Sequence, residues 1–144
     1  MLYEAKGVNL CAQITKYLKH PSRINFILPV VSKQAKISMD KQKQKIMQAI
    51  AKRAHEVTPP GSTVLLFGSQ ARGDARPDSD WDVLVLLDKE KITADDHDNI
   101  AWPIHILSWD FDEPIMPMLL TKKQWKDNRT APFRVNVLED AIPL

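Results

Sequence analysis

Phe67-Gly68-Ser69-Gln70-Ala71-Arg72-Gly73-Asp74-Ala75-Arg76-Pro77-Asp78-Ser79-Asp80-Trp81-Asp82 is the segment on which the reading of this chain turns. Two apolar runs frame it, Thr63-Val64-Leu65-Leu66-Phe67 before and Asp82-Val83-Leu84-Val85-Leu86-Leu87 after. Short, unbroken apolar runs bounded by turn residues mark strands buried on both faces. The stretch from Gly68 to Ser79 is therefore expected to be a loop between two core strands, with Ser69 placed where a helix could begin.

The chemistry of that loop is specific. Gly68 lets the backbone turn sharply and approach a ligand closely, and Ser69 adds a hydroxyl and an N–H, which together make a small phosphate cradle. Asp80 and Asp82 are two residues apart, so on a strand their side chains share one face, with Cα atoms roughly 6.5–7 Å apart. Carboxylates so placed can hold divalent cations. Arg72 and Arg76 add positive charge suited to a polyphosphate, although Asp74 and Asp78 are local partners for both. A cradle plus a carboxylate pair suits phosphoryl or nucleotidyl transfer. An EF-hand reading of Asp78-x-Asp80-x-Asp82 fails, because Val83 stands where the loop needs Gly and Lys89 where it needs Glu.

Outward from the loop, Ile46, Ile50, Ala54 and Val57 recur at helical spacing, which predicts a one-faced helix over Lys41 to Val57, ended by Pro59-Pro60-Gly61. Downstream, Thr93 with Asp95 and Asp96 predicts a capped helix whose apolar face continues through Ile100, Ile104 and Leu107, kinked at Pro103. Ile115 to Leu120 reads as a strand, and Pro114 and Pro117 confine it to an edge or a bulge. Thr121-Lys122-Lys123-Gln124 is a capping box that opens a helix carrying Trp125.

The chain has 144 residues, 20 basic against 18 acidic, so its formal charge is 20 − 18 = +2, which argues against a nucleic-acid-coating protein. With 44% hydrophobic and 26% charged residues it has the composition of one globular domain. The single cysteine, Cys11, excludes an internal disulfide and a Cys-based zinc site, and a reducing, cytoplasmic setting is expected. The histidines His20, His55, His97 and His105 share no metal-ligand spacing. The four tryptophans are expected mostly in core or edge packing.

Residues 1–38 differ in texture, with Glu4 as their one acid against Lys6, Lys16, Lys19, Arg23, Lys33 and Lys36. They read as an N-terminal extension with a short helix bearing Leu10, Ile14 and Leu18, followed by the apolar run Ile24 to Val31, a core strand or short helix too short to span a bilayer. The functional domain is expected over residues 39–144.

The pattern Gly-Ser, ten residues, Asp-x-Asp, with Ala71-Arg72-Gly73 and Ser79 between, resembles the signature of the DNA polymerase beta-like nucleotidyltransferase superfamily, and most closely its small stand-alone minimal nucleotidyltransferases. The resemblance implies an α/β (α+β) fold with a short mixed sheet flanked by helices. It implies that Gly68, Ser69 and Arg72 bind the nucleotide phosphates and that Asp80 and Asp82 bind magnesium, two ions in all. The implied reaction transfers a nucleoside monophosphate, AMP from ATP, to an acceptor hydroxyl on a protein, RNA or small molecule. The family adds a third carboxylate from a later strand. Here the corresponding position falls near Met116, which is apolar; Asp110, Asp112 and Glu113, at the strand's entrance, are the candidates to substitute, and Asp112 is preferred. The same resemblance implies an alternative, an antitoxin-like module that binds a helical HEPN-type partner with little or no catalysis. A homo-oligomer that completes the pocket is a further expectation.

Overall fold

The computed structural model describes residues 41–127 and 131–144. The expected N-terminal extension, with Cys11, its helix and the Ile24 to Val31 run, lies outside the described residues. The long helix α1 spans Lys41–Val57 and buries Ile46, Ile50 and Ala54, the residues its spacing selected. Strand β1 (Thr63–Phe67) follows, then a one-and-a-half-turn helix α2 (Gly68–Arg72), and strand β2 (Trp81–Leu87). The segment expected as loop is thus helical in its first five residues, because Ser69 O accepts hydrogen bonds from the N–H groups of Gly73 and Asp74 at 3.0 and 3.2 Å.

A run of helical segments crosses from β2 to the next strand: α3 (Ala94–Asp96), a π-turn over His97–Ala101, α4 (Trp102–His105) and α5 (Leu107–Phe111). Thr93 caps it with a full capping box: its hydroxyl accepts from the Asp96 N–H, and the Asp96 carboxylate accepts from the Thr93 N–H. The π-turn ends at Ala101, two residues before Pro103, which has no N–H to give, so the irregularity expected at that proline is absorbed as a widened turn. Strand β3 (Ile115–Thr121), helix α6 (Lys122–Asp127), helix α7 (Pro132–Asp140) and the two-residue strand β4 (Ile142–Pro143) complete the described chain.

The sheet has the order β3-β2-β1-β4. β1 runs antiparallel to β2 with Phe67 opposite Asp82, and β2 runs parallel to β3 with Asp82 opposite Met116. The α1 layer and the crossover helices cover one face, where Val64, Leu66, Trp81, Val83, Val85 and Leu87 meet Ile50, Ile104 and Leu107. On the other face Leu65, Leu84 and Leu86 pack against Trp125 and Val137. β2 is buried on both faces, which is why its sequence is apolar without alternation. The fold is the mixed sheet flanked by helices that the sequence implied.

β3 lies at an edge, as its prolines required, and that edge is closed by side chains. Ile115 donates to Ser108 Oγ at 2.9 Å, its carbonyl meets His105 Nδ1 at 2.8 Å, and Pro117 has no donor. At the far end Thr121 donates to Gln124 Oε1 at 2.8 Å, half of the predicted capping box, and Gln124 donates back to Thr121 Oγ1 at 3.0 Å. Such an edge resists pairing with another strand. Among the described residues no helix is long and apolar enough to cross a membrane.

Asp96 also accepts from Lys89 Nζ at 2.6 Å, and this bond holds its carboxyl below the ordinary carboxylate range. A depressed folded-state value means that the stabilisation is present above the unfolded-state value and is lost as pH falls through the folded one. Asp96→Ala is expected to lower the melting temperature by several degrees at neutral pH, with the gap closing as the solution is acidified below about pH 4; a calorimetric pH series checks it.

Candidate active site

The site forms where the C-terminal end of β1 meets the N-terminal end of β2. Antiparallel pairing puts Phe67 opposite Asp82, so the turn that leaves β1 at Gly68 is folded directly onto that carboxylate. Gly68 has φ +75°, and a Cβ at this position would stand 2.5 Å from Asp82 Oδ2. No residue with a side chain fits there, for both reasons. Gly73, with φ +82°, then ends α2 in the left-handed conformation.

Asp80 and Asp82 flank Trp81, whose side chain is fully buried and whose indole N–H donates to Glu113 Oε2 at 2.7 Å. The buried tryptophan points to the α1 side of the sheet and so turns its neighbour Asp82 to the opposite side. The structure brings the two aspartates into electrostatic contact. Burial first, then the negative charge of Asp80, pushes the Asp82 carboxyl above its ordinary value, and Arg72 partly offsets this. A half-buried carboxylate beside a second negative charge is a donor set suited to a hard divalent cation, which removes the repulsion on binding.

An open polar hollow of about 450 Å³ lies beside the pair, lined by Ser69, Arg72, Asp74, Arg76, Ser79 and Asp80 among others. Its far wall is ordered by Ser79. The Ser79 hydroxyl accepts from the Arg76 N–H at 2.8 Å, its N–H donates to Arg76 O at 3.0 Å, and its carbonyl accepts from Gln70 Nε2 at 3.3 Å. Gln70 is 3% exposed, and this bond ties α2 to the residue immediately before Asp80.

Arg72 is held at the rim by two acids. It donates to Asp74 Oδ2 at 3.2 Å, the local pairing open from the sequence, and to Asp140 Oδ2 at 2.6 Å. The second bond spans 68 residues to the end of α7, and nothing in the sequence signalled it. Arg76 has no ion pair among the described residues, so its guanidinium is available at the hollow.

The third carboxylate is placed differently from the pair. Met116 occupies the β3 position opposite Asp82 and is 48% exposed, as the count along the strand implied. Asp112 closes α5 in the left-handed conformation, φ +53°, and the groups that act on Asp82 are Asp80 and Arg72, not Asp112. Glu113 is committed to Trp81. Among the described residues no group of three His, Cys, Asp or Glu side chains converges as a metal site.

With this geometry in hand the chain can be classed. Residues 43–132, more than half of the chain, match the nucleotidyltransferase domain family, and the protein belongs to that family. It is a family of transferases that generally use a nucleoside triphosphate and a divalent metal. Among solved structures the chain is similar, at 20% identity over 70% of each chain and a TM-score of 0.46, to one described as the crystal structure of the toxin-antitoxin with AMP-PNP. No curated protein matches it.

Asp82 carries a cost in the metal-free protein. A carboxyl whose folded-state value is raised favours the folded state most below the unfolded-state value, and that contribution is lost as pH rises through the folded one. Asp82→Asn is therefore expected to raise the melting temperature of the metal-free protein by a few degrees at neutral pH and to leave it unchanged near pH 3. Thermal melts in chelator at both pH values check this.

Proposed function

We propose that this protein is a magnesium-dependent nucleotidyltransferase that moves a nucleoside monophosphate, AMP from ATP, onto an acceptor hydroxyl. One observation carries the reading: the glycine turn and the Asp80-x-Asp82 pair, fourteen residues apart at their extremes by 82 − 68, are folded together so that a Cβ at Gly68 would stand 2.5 Å from Asp82 Oδ2. Phosphates seated on that turn lie beside the carboxylates.

Gly68 and Ser69 would receive the triphosphate, with the Ser69 hydroxyl and Arg76 facing its oxygens in the hollow. Arg72, fixed by Asp74 and Asp140, would meet the same charge from the rim. Asp80 and Asp82 would hold magnesium, which when bound neutralises phosphate charge and acidifies the attacking hydroxyl. In the transfer, the acceptor oxygen bonds to the α-phosphorus, the bond from that phosphorus to the β-phosphate oxygen breaks, and pyrophosphate leaves. The proton of the hydroxyl goes to a general base, for which we propose Asp112. The left-handed turn at this residue ends the crossover helices and leaves its carboxylate exposed at the entrance of β3. The single cysteine suits a cytoplasmic setting, and residues 39–144 are proposed as the functional unit, since α1 begins at Lys41 and the family match begins at residue 43.

A second reading is favoured by Met116. With an apolar residue where the pair's strand neighbour would offer a carboxylate, the domain would bind nucleotide yet act as an antitoxin-like module on a helical HEPN-type partner.

MgATP at about 100 times its dissociation constant is expected to stabilise the protein by about 2.7 kcal/mol, a rise of several degrees in melting temperature. The rise should be absent in Asp82→Asn and kept by a chain that begins at Met39. No rise in the full chain would defeat both readings. Asp112→Asn is expected to leave the MgATP rise intact while slowing transfer by about 10²–10⁴-fold, measured as pyrophosphate release with candidate acceptors. A rise without transfer by the unaltered chain selects the second reading.

A further inference from the structure

On the side of the crossover helices, Trp102 and Trp109 are 51% and 73% exposed, among the most exposed large apolar side chains described. They are not scattered. Their rings meet edge to face at 5.8 Å, and Trp102 also stacks on His105 at 5.7 Å, so the three form one aromatic ridge along α4 and α5. Beside the ridge runs a groove of about 280 Å³, lined by His97, Asp98, Trp102, His105, Met116 and Pro117.

The charge that the crossover segment itself carries is mostly acidic, although the Arg53 guanidinium of α1 donates to Pro103 O at 3.4 Å and His97 lines the groove with His105. From Ile92 to Thr121 the chain carries Asp95, Asp96, Asp98, Asp110, Asp112 and Glu113 and no lysine or arginine. Lys89 neutralises Asp96 and Trp81 occupies Glu113, but Asp95, Asp98, Asp110 and Asp112 are exposed. Exposed tryptophans of this kind are frequent anchors of protein interfaces, and a contiguous ridge is not the isolated apolar residue that any surface tolerates. The exposed acids Asp95, Asp98, Asp110 and Asp112 disfavour phosphates, and with them nucleic acid and an anionic membrane surface as occupants. They favour a cation on an apolar support, since a guanidinium or ammonium over an indole face adds cation–π attraction to the burial of the ring.

A strand is not the expected form of that occupant, because His105, Ser108 and Pro117 already close the edge of β3 beside the groove. Nor do the described residues of a second copy offer the complement. Their most lysine-rich helix, α1, keeps its apolar residues Ile46, Ile50 and Ala54 in its own core. We infer that the Trp102–Trp109 ridge and its groove are the docking surface for a partner protein that presents an amphipathic helix with lysine or arginine flanking its apolar face. The inference is independent of the transfer reaction proposed above. Met116, which lines the groove, is also the β3 neighbour of Asp82, so the groove adjoins the strand next to the one that carries that aspartate.

The test uses the full chain and two synthetic 18-residue helical peptides of identical apolar face, one flanked by lysine and one by glutamate. Tryptophan emission reads binding, because Trp102 and Trp109 are exposed while Trp81 and Trp125 are buried. The lysine peptide is expected to bind saturably and to shield the tryptophans from iodide. Its affinity should fall tenfold or more in Trp109→Ala and severalfold in Asp98→Asn, and it should weaken with added salt. The glutamate peptide is expected not to bind. Equal binding of both peptides, or binding unchanged in Trp109→Ala, overturns the inference. So does a dimer in sedimentation that Trp109→Ala converts to monomer, which would assign the ridge to a second copy. It is overturned equally if trypsin sites in residues 1–38 are protected in the full chain and released by Trp109→Ala, which would assign the ridge to the chain's own N-terminal segment. Both variants alter exposed side chains, and unchanged circular dichroism shows that they fold.

Discussion

The close approach of Gly68 to Asp82 is the constraint on which the rest of this structure depends. Full antiparallel registration of β1 with β2 puts Phe67 opposite Asp82, and the chain can leave β1 toward α2 only by turning through a left-handed residue against that carboxylate. The loop that follows must then return to the same sheet at Trp81 within the few residues after Gly73. It does so through the Ser79 bonds to Arg76 and Gln70, which deliver Asp80 beside Asp82. Cradle and carboxylates are thus products of one strand pairing rather than two separately built features.

The rigidity of that pairing comes from burial. β2 is covered on both faces, by α1 and the crossover helices on one side and by Trp125 and Val137 on the other, so its register cannot slip without exposing a whole face of the core. Trp81 acts as the pin. It is fully buried on the α1 side and hydrogen-bonded to Glu113, which fixes which way the residues on either side of it point. The energetic consequence is concentrated on Asp82, half-buried next to a like charge and held above its ordinary proton affinity. Functional sites commonly accept such a local cost, and here the surrounding core is what sustains it.

The charge distribution divides the molecule. Arg72 and Arg76 share the hollow with Asp74, Asp78 and Asp80, whereas from Ile92 to Thr121 the chain carries acids and no lysine or arginine, together with the exposed tryptophan ridge. The two surfaces meet at Met116, which takes the β3 position beside Asp82. The polar hollow beside the aspartates and the apolar ridge of the crossover helices are thus two chemically distinct surfaces of the described residues.

Much of this architecture was legible in the amino-acid sequence, because it depends on local rules. The spacing of Ile46, Ile50 and Ala54 set the buried stripe of α1, Thr93 announced a capped helix start and Thr121 a capping box, and Pro114 with Pro117 consigned β3 to an edge. The Gly-Ser and Asp-x-Asp spacing located the candidate site for the same reason, since a turn and a strand each impose their own geometry on neighbouring residues. What the sequence left open were the contacts between residues distant along the chain. The helical turn of α2, the anchoring of Arg72 by Asp140 and the engagement of Glu113 by Trp81 follow from how the sheet and helices pack. So does the ridge formed by Trp102 and Trp109, which were expected to pack as core or edge residues and instead stand exposed. Side-chain periodicity determines which face of an element is apolar. Which elements cover that face, and which charges are brought together there, is decided only when the whole chain closes around one core.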